Sequence, residues 1–325
     1  MTQPHAVFRF GPKLFVLTGL VWLLVCCHAG CAQQTGHAKF KWKAEDFFDD
    51  AKVIALCKAI EANDLKEMER LIKDGADVNA KGKGNMTPLL WAFLDNHPER
   101  FTLLLEHGAD PNVVVESDFG TPYGVIAPGT SVTELAAKSR FPILFEEVVK
   151  HGGDVNFVNP KTKESILASI IQKGGEFTPS RVQLLIDKGA DLNKISVGRP
   201  PVIDAAMTYG QFDLALTLLK AGADPKIYIE DGNMKLTHVL LRAKQSVYKF
   251  DGPETQAAYE RLVSWLKEHG ESFEEAQADL DRWDKRAHLS IKEKARLRRA
   301  EVAERKAREA AEKAKKENAN KEKKP

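Results

Sequence analysis

The sequence predicts an all-α protein: a solenoid of about six helix-turn-helix repeats followed by a long, charged C-terminal helix. Three observations carry this prediction. One ten-residue phrase recurs through the body of the chain. The apolar residues around each copy fall at helical spacing. The segment from Lys285 onward lacks glycine altogether, and lacks proline until Pro325. It is rich in Ala, Glu, Lys and Arg, the residues that lose least on entering a helix.

The phrase reads LIKDGADVNA at 71–80, LLEHGADPNV at 104–113, VVKHGGDVNF at 148–157, LIDKGADLNK at 185–194 and LLKAGADPKI at 218–227, with a degenerate WLKEHGESFE at 265–274. Its glycines are Gly75, Gly108, Gly152, Gly189, Gly222 and Gly270, spaced 33, 44, 37, 33 and 48 residues apart. Each copy opens on apolar residues such as Leu71, Ile72, Leu104 and Leu105, the buried stripe of a helix. The glycine then supplies a left-handed residue at the helix end without a Cβ penalty. The Asp and Asn that follow favour turns by bonding nearby backbone groups, so Asp77, Asp110, Asp154, Asp191 and Asp224 recur as turn formers rather than as catalytic carboxylates. Small Ala59, Ala92, Ala136 and Ala206 let paired helices approach closely. One such unit cannot cover its own apolar face, so neighbours must stack.

Ahead of the second copy stands Thr87-Pro88-Leu89-Leu90-Trp91-Ala92. The fifth has Ile203-Asp204-Ala205-Ala206 and an inter-helix Gly210, and the third has Leu135-Ala136-Ala137. With these residues and a period of about 33, the body over about 50–275 resembles the ankyrin-repeat family. Leu90 stands where that family has histidine, and so does Cys57, which is expected to be a buried structural residue. The resemblance implies a binding module that takes a protein partner on its hairpin tips and on the concave face of its first helices. The corresponding stretches here are 81–86, 116–130, 197–199 and 229–233, with Lys83, Asn85, Phe119, Tyr123, Ile126, Arg199 and Tyr209 as contact candidates. Trp91, in place of a core aliphatic, is expected inside.

The third and sixth repeats exceed the period most, by 11 and 15 residues. The surplus of the third falls at 116–130, on the hairpin side, where insertions into solenoids often face a partner. Phe119, Tyr123 and Ile126 are unusually apolar for such a loop and are expected either to contact the partner or to fold back as a local core. The surplus of the sixth falls at 244–255, between its helices.

Before the repeats, Arg9 and Lys13 precede a 14-residue apolar run, Leu14 to Cys27. A spanning helix needs about 20 apolar residues, so the run fits an export signal over 1–30. Ala29-Gly30-Cys31 resembles the ending of a bacterial lipoprotein signal, with His28 departing from the usual aliphatic residue. The resemblance implies lipid on Cys31 and attachment to the membrane of the cell envelope, facing the periplasm or the exterior. The polar stretch 31–49 would then serve as a tether. Ordinary signal cleavage after Ala32, releasing a soluble protein, and an uncleaved anchor remain open alternatives.

Charge is uneven. From Arg282 to Pro325 there are 17 Lys and Arg against 8 Asp and Glu, net +9; from Cys31 to Asp281, 29 against 38, net −9. The basic tail, 276–325, is expected as a solvated helix with an anionic surface as a possible partner. No aromatic residue after Trp283 could stack on bases, so nucleic acid is not expected. The body holds one cysteine, Cys57, so no disulfide forms within it. The chain carries no GxSxG, P-loop, HExxH or dinucleotide glycine fingerprint. A non-catalytic monomer without cofactor or metal is therefore expected, binding a protein partner. The alternatives are a structural lipoprotein bridging the envelope through its basic tail, or an immunity protein that neutralises a toxin.

Overall fold

The computed structural model describes residues 37–38, 41–94, 97–121, 124–208, 210–229, 233–245, 252–286 and 289–322, with backbone alone at 121, 124–125 and 312–322. Six helix pairs stack in order: α1 (Ala51–Ala62) with α2 (Leu65–Lys73), α3 (Pro88–Phe93) with α4 (Pro98–Glu106), α5 (Val132–Lys138) with α6 (Pro142–Lys150), α7 (Ile166–Lys173) with α8 (Thr178–Asp187), α9 (Pro201–Met207) with α10 (Phe212–Lys220), and α11 (Leu236–Gln245) with α12 (Gly252–Glu268). A capping helix, α13 (Phe273–Lys285), follows, then the long α14 (Ile291–Glu322). First helices pack on first helices and second on second, as a solenoid requires. No helix among the described residues is long and apolar enough to cross a membrane.

Local chemistry sets the ends of these helices. Thr87, Ser131 and Ser165 each accept a backbone N–H three residues on, opening α3, α5 and α7. Pro98 and Pro142 stand at the first position of second helices, where their missing N–H costs nothing. Gly189 has φ +76°, and a Cβ there would meet no atom within 4 Å. Glycine is needed at that point for its backbone freedom, not for space.

One continuous core runs through all six pairs, from Phe48 to Phe273. Ala92, Ala136 and Ala206 are buried within it, and Trp91, Phe101, Phe145 and Phe212 are its largest fully covered apolar side chains. Cys57 is buried as expected, and burial pushes its thiol far above the usual range.

The Asp-x-Asn turns join neighbouring repeats. Each Asp accepts from the backbone N–H two residues on: Asn79 to Asp77, Asn112 to Asp110, Asn156 to Asp154, Asn193 to Asp191 and Lys226 to Asp224. Each Asn then accepts the backbone N–H of the next repeat's Asp: Asp110 to Asn79 at 2.7 Å, Asp154 to Asn112 at 2.8 Å, Asp191 to Asn156 at 2.7 Å and Asp224 to Asn193 at 2.7 Å. Lys226 occupies the next Asn position and has no amide oxygen to offer, so the ladder stops where the repeats degenerate.

A second device was not apparent from sequence. A polar side chain on, or just before, a second helix reaches carbonyls at the end of a first helix, in its own repeat or the preceding one. Fully buried Arg100 donates to the Ile60 and Ala92 oxygens, Arg181 to that of Ser139, and Gln211 to that of Ile171. These carbonyls lie at the ends of first helices, where the helix supplies few donors.

Candidate functional site

The hairpins that link successive repeats form a row of fingers beside the first helices. The second finger turns at the 3₁₀ segment Lys83–Asn85; Lys83 is exposed, and Asn85 donates its amide to the Val114 oxygen at 3.0 Å. Asn85 therefore joins fingers two and three, while Lys83 stays available.

The third finger carries the insertion as an antiparallel hairpin, β1 (Phe119–Thr121) with β2 (Gly124–Ile126). Its apolar residues do not form an open contact surface: Phe119 and Ile126 are each only 6% exposed. Trp42 and Phe47 of the segment before α1 lie against Phe119, so neither residue offers the open partner contact that was one of the two expectations. The hairpin presents Glu116, Ser117 and Asp118 to solvent instead.

That covering segment overturns a second expectation. Within the described part of 31–49 the chain is not a polar tether. It passes through a 3₁₀ turn, Ala44–Asp46, and packs on repeats one to three. The His37 ring stacks on Trp91 with centroids 4.5 Å apart, and its Nε2 lies 2.9 Å from the Trp91 carbonyl oxygen. Trp42 and Phe47 each lie within 6 Å of both Trp91 and Phe119. Phe48 is buried beside them, and the Phe47 carbonyl accepts from the Lys83 N–H at 2.9 Å. Trp91 donates its indole N–H to Glu61 at 3.2 Å, which satisfies the ring's polar atom. The signal missed in the sequence was the density of aromatics in Phe40-Lys41-Trp42 and Phe47-Phe48, too many for a solvated linker.

Fingers four and five are open. They join where the Ser196 hydroxyl accepts the Ser165 N–H at 2.9 Å. Lys161, Lys163 and Lys194 are exposed around their tips. In the tight turn between Ser196 and Arg199, Val197 takes φ +51° and Gly198 φ +79°. Left-handed geometry is costly for a β-branched residue, roughly 1–2 kcal/mol, and turns of this kind normally use Asn or Gly. Val197 is nevertheless 57% exposed, with Ile195 at 40% on the same finger and Met207 at 49% at the end of α9. Arg199 is less free than the sequence implied: its guanidinium is bonded at 2.6 Å to Asp204, which is fully buried.

Asp204 belongs to a line of paired charges along the first helices. Burial raises its carboxyl above the usual range, opposed by Arg199, while Gln172 donates to it at 3.2 Å. Lys138 lies 2.8 Å from both Glu134 and Glu164, and Asn159 donates to Glu134 at 2.9 Å. Burial works against the Lys138 charge, but the two carboxylates hold its ammonium above the ordinary value. Every carboxylate in this line has a cation or amide partner, so the line sets the shape of the concave side rather than supplying a free acid or base. Among the described residues, no group of three or more His, Cys, Asp or Glu is placed to hold a metal ion.

At the sixth repeat, Lys235-Leu236-Thr237-His238 opens α11, and His238 Nδ1 accepts the Lys235 N–H at 3.2 Å. This is the histidine that the second repeat lacks. Its ring stacks on Trp283 of α13 at 5.2 Å, and its Nε2 lies 3.3 Å from Asp279. Burial, with Lys235 beside it, lowers the imidazole to about 4. No local pattern marks His238, because its ring partners come from a helix about forty residues away. Cys31, Tyr123 and Tyr209 lie outside the described residues.

A family model for ankyrin repeats, in three copies, matches residues 17–114. Among curated proteins, the chain is 28% identical to the ankyrin repeat and KH domain-containing protein mask-1 of Caenorhabditis elegans over 173 residues, 51% of this chain and 6% of that protein. It is 32% identical over 84 residues to the putative ankyrin repeat protein R664 of Acanthamoeba polyphaga mimivirus, 26% of this chain and 52% of that one. It is 40% identical over 72 residues to the human mitochondrial disaggregase, 22% of this chain and 10% of the disaggregase. The chain thus spans about half of one of these relatives and a tenth or less of the other two. Among solved structures, the ankyrin repeat domain of Bcl-3 superposes with a TM-score of 0.48 at 20% identity, over 65% of this chain and 85% of that one. With the matched residues, the recurring Asp-x-Asn ladder and the six stacked helix pairs together, the body of this chain is an ankyrin-repeat solenoid.

Proposed function

We propose that the protein is a non-catalytic, protein-binding scaffold of the bacterial cell envelope, held to the membrane by lipid on Cys31, and that it takes an acidic partner on fingers four and five. The observation that carries the docking site is Val197, a β-branched residue kept in a left-handed turn and exposed to solvent. Strain that gains nothing in packing is maintained where it serves contact. Exposed Lys161, Lys163 and Lys194 lie on the same two fingers of a body whose net charge is negative, which favours an acidic surface with an apolar depression to receive Val197 and Ile195. The membrane part of the reading rests on the apolar run Leu14 to Cys27, with Arg9 and Lys13 before it and Ala29-Gly30-Cys31 after it.

The decisive experiment is Val197→Asn. Asparagine tolerates the left-handed region, so stability is expected to hold or rise by up to about 1 kcal/mol while capture of the partner from solubilised envelopes falls. Undiminished capture would remove finger five from the interface. Mass spectrometry of the mature N-terminus tests the anchor separately: lipid on Cys31 is expected, and an unmodified Gln33 would mean ordinary secretion.

A second reading draws on α14, where Lys306 and Arg308 are exposed. In it the basic tail bridges the membrane to an anionic surface. Deleting 285–325 would then release the protein from the envelope while leaving partner binding intact.

A further inference from the structure

At the ends of the first helices away from the fingers, the turn after α5 meets the turn after α7, and two cations converge there. The Lys173 ammonium donates to the Lys138 oxygen and the Arg181 guanidinium to that of Ser139. The two heads therefore grip consecutive carbonyls. Arg181 is only 8% exposed, and its Nε has no hydrogen-bond partner among the described residues. Lys173 is exposed.

The carboxylates nearby leave these charges unanswered. Glu134 and Glu164 are taken by Lys138. Glu146 and Glu176 are exposed, and among the described residues neither forms an ion pair with Lys173 or Arg181. Burial, with Arg181 and Lys138 beside it, holds the Lys173 ammonium below its ordinary value. Burial does the same to Arg181, opposed by Glu146.

Closing the end of α5 does not require charge. At the next repeat the neutral Gln211 amide reaches the Ile171 oxygen and does the same work. The carbonyl end of a helix offsets about half a charge, and α5 has seven residues. A buried charge is normally paired, so two positive charges stand here in want of a counterion. A carboxylate would balance one of them and a dianion both. The forked guanidinium with the ammonium beside it suits the oxygens of a phosphate. The Phe177 ring, 5.8 Å from the Arg181 guanidinium, gives the site an apolar side.

We infer that this pair of turns, between repeats three and four, is a binding site for a phosphate group, free or carried on a monoester. It is separate from fingers four and five and does not depend on what docks there.

The test is calorimetry on the full chain at pH 8, with inorganic phosphate, phenyl phosphate and acetate as probes. Saturable binding at one site below about 1 mM is expected for both phosphates, with acetate at least about tenfold weaker. A tighter phenyl phosphate identifies an ester as the ligand; one no tighter than inorganic phosphate identifies the free ion. Arg181→Gln keeps an amide for the Ser139 carbonyl and should weaken phosphate about tenfold or more. Lys173→Gln, at an exposed position, should weaken it about tenfold with helix content unchanged, and decides the matter alone if the first variant unfolds. Phosphate should raise the thermal midpoint of the parent and leave that of Lys173→Gln unmoved. Lys161→Gln with Lys163→Gln, on finger four, should bind as the parent does. The inference is overturned if phosphate shows no saturable binding up to millimolar concentration, if acetate binds as well, if Lys173→Gln binds as the parent does, or if the finger-four variant loses binding.

Discussion

Repeats one to three and repeats four and five use the same turn, the same helix pair and the same Asn ladder, yet their finger sides differ. In the first group, Trp42, Phe47 and Phe48 lie over Trp91 and Phe119, so the apolar groove is filled by the protein's own chain. In the second, Ile195 and Val197 stand open among lysines. The contrast shows that apolar residues on a finger have opposite meanings according to what the rest of the chain brings to them. Phe119 is an interior residue that happens to lie on a loop; Val197 is a surface residue under strain.

The largest expected effect breaks or confirms this division at the covered end. Phe119→Ala removes a ring packed against Trp42 and Phe47 and should destabilise the protein by about 3–5 kcal/mol in urea titration. Partner capture by the molecules that remain folded should persist. Unchanged stability with lost capture would move the docking site to the third finger and reverse the comparison.

Between the two regions lies a substitution that probes the shared turn. Gly189→Val places a β-branched residue at φ +76° with no steric contact, so its cost of roughly 1–2 kcal/mol comes from backbone conformation alone. Thermal unfolding that does not change would show that these glycines are not needed for their left-handed geometry. It would also weaken the case that Val197 is strained.

A pH-dependent effect concerns the far end. His238 is held near 4 in the folded protein and titrates near 6.5 when unfolded. A lowered histidine binds fewer protons in the folded state, so its contribution is intact above about pH 6.5 and is lost as pH falls toward 4. The loss approaches about 1.4 kcal/mol per pH unit. His238→Gln should flatten the fall in stability between about pH 6.5 and pH 5, before most carboxylates titrate. Parallel slopes for parent and variant would show that the ring is protonated in the folded state, drawn by Asp279.

Much of this was legible in the sequence. The six phrases located the six second helices, because a helix end, a glycine and an Asp-x-Asn turn are local chemistry that each copy carries for itself. The insertion at 116–130 was placed on the hairpin side correctly, and Trp91 and Cys57 were placed inside. The site was less legible. For Phe119 and Ile126 contact and packing stayed open, because a loop rich in apolar residues looks exposed until its cover is known. Arg199 and Asn85 looked available, since Asp204 and the Val114 carbonyl come near them only on folding.

The sequence by itself determined the repeat, its period, the direction of the chain through each turn and the charge division between body and tail. These depend on residues within a few positions of one another, or on composition. Tertiary structure decided which apolar residues are covered, which charges are paired and where the tail lies. Many of the partners in those contacts are far apart in the chain, as with Phe47 and Phe119 or Asn233 and Glu301. No local preference encodes such a meeting; stacking the repeats brings these segments together.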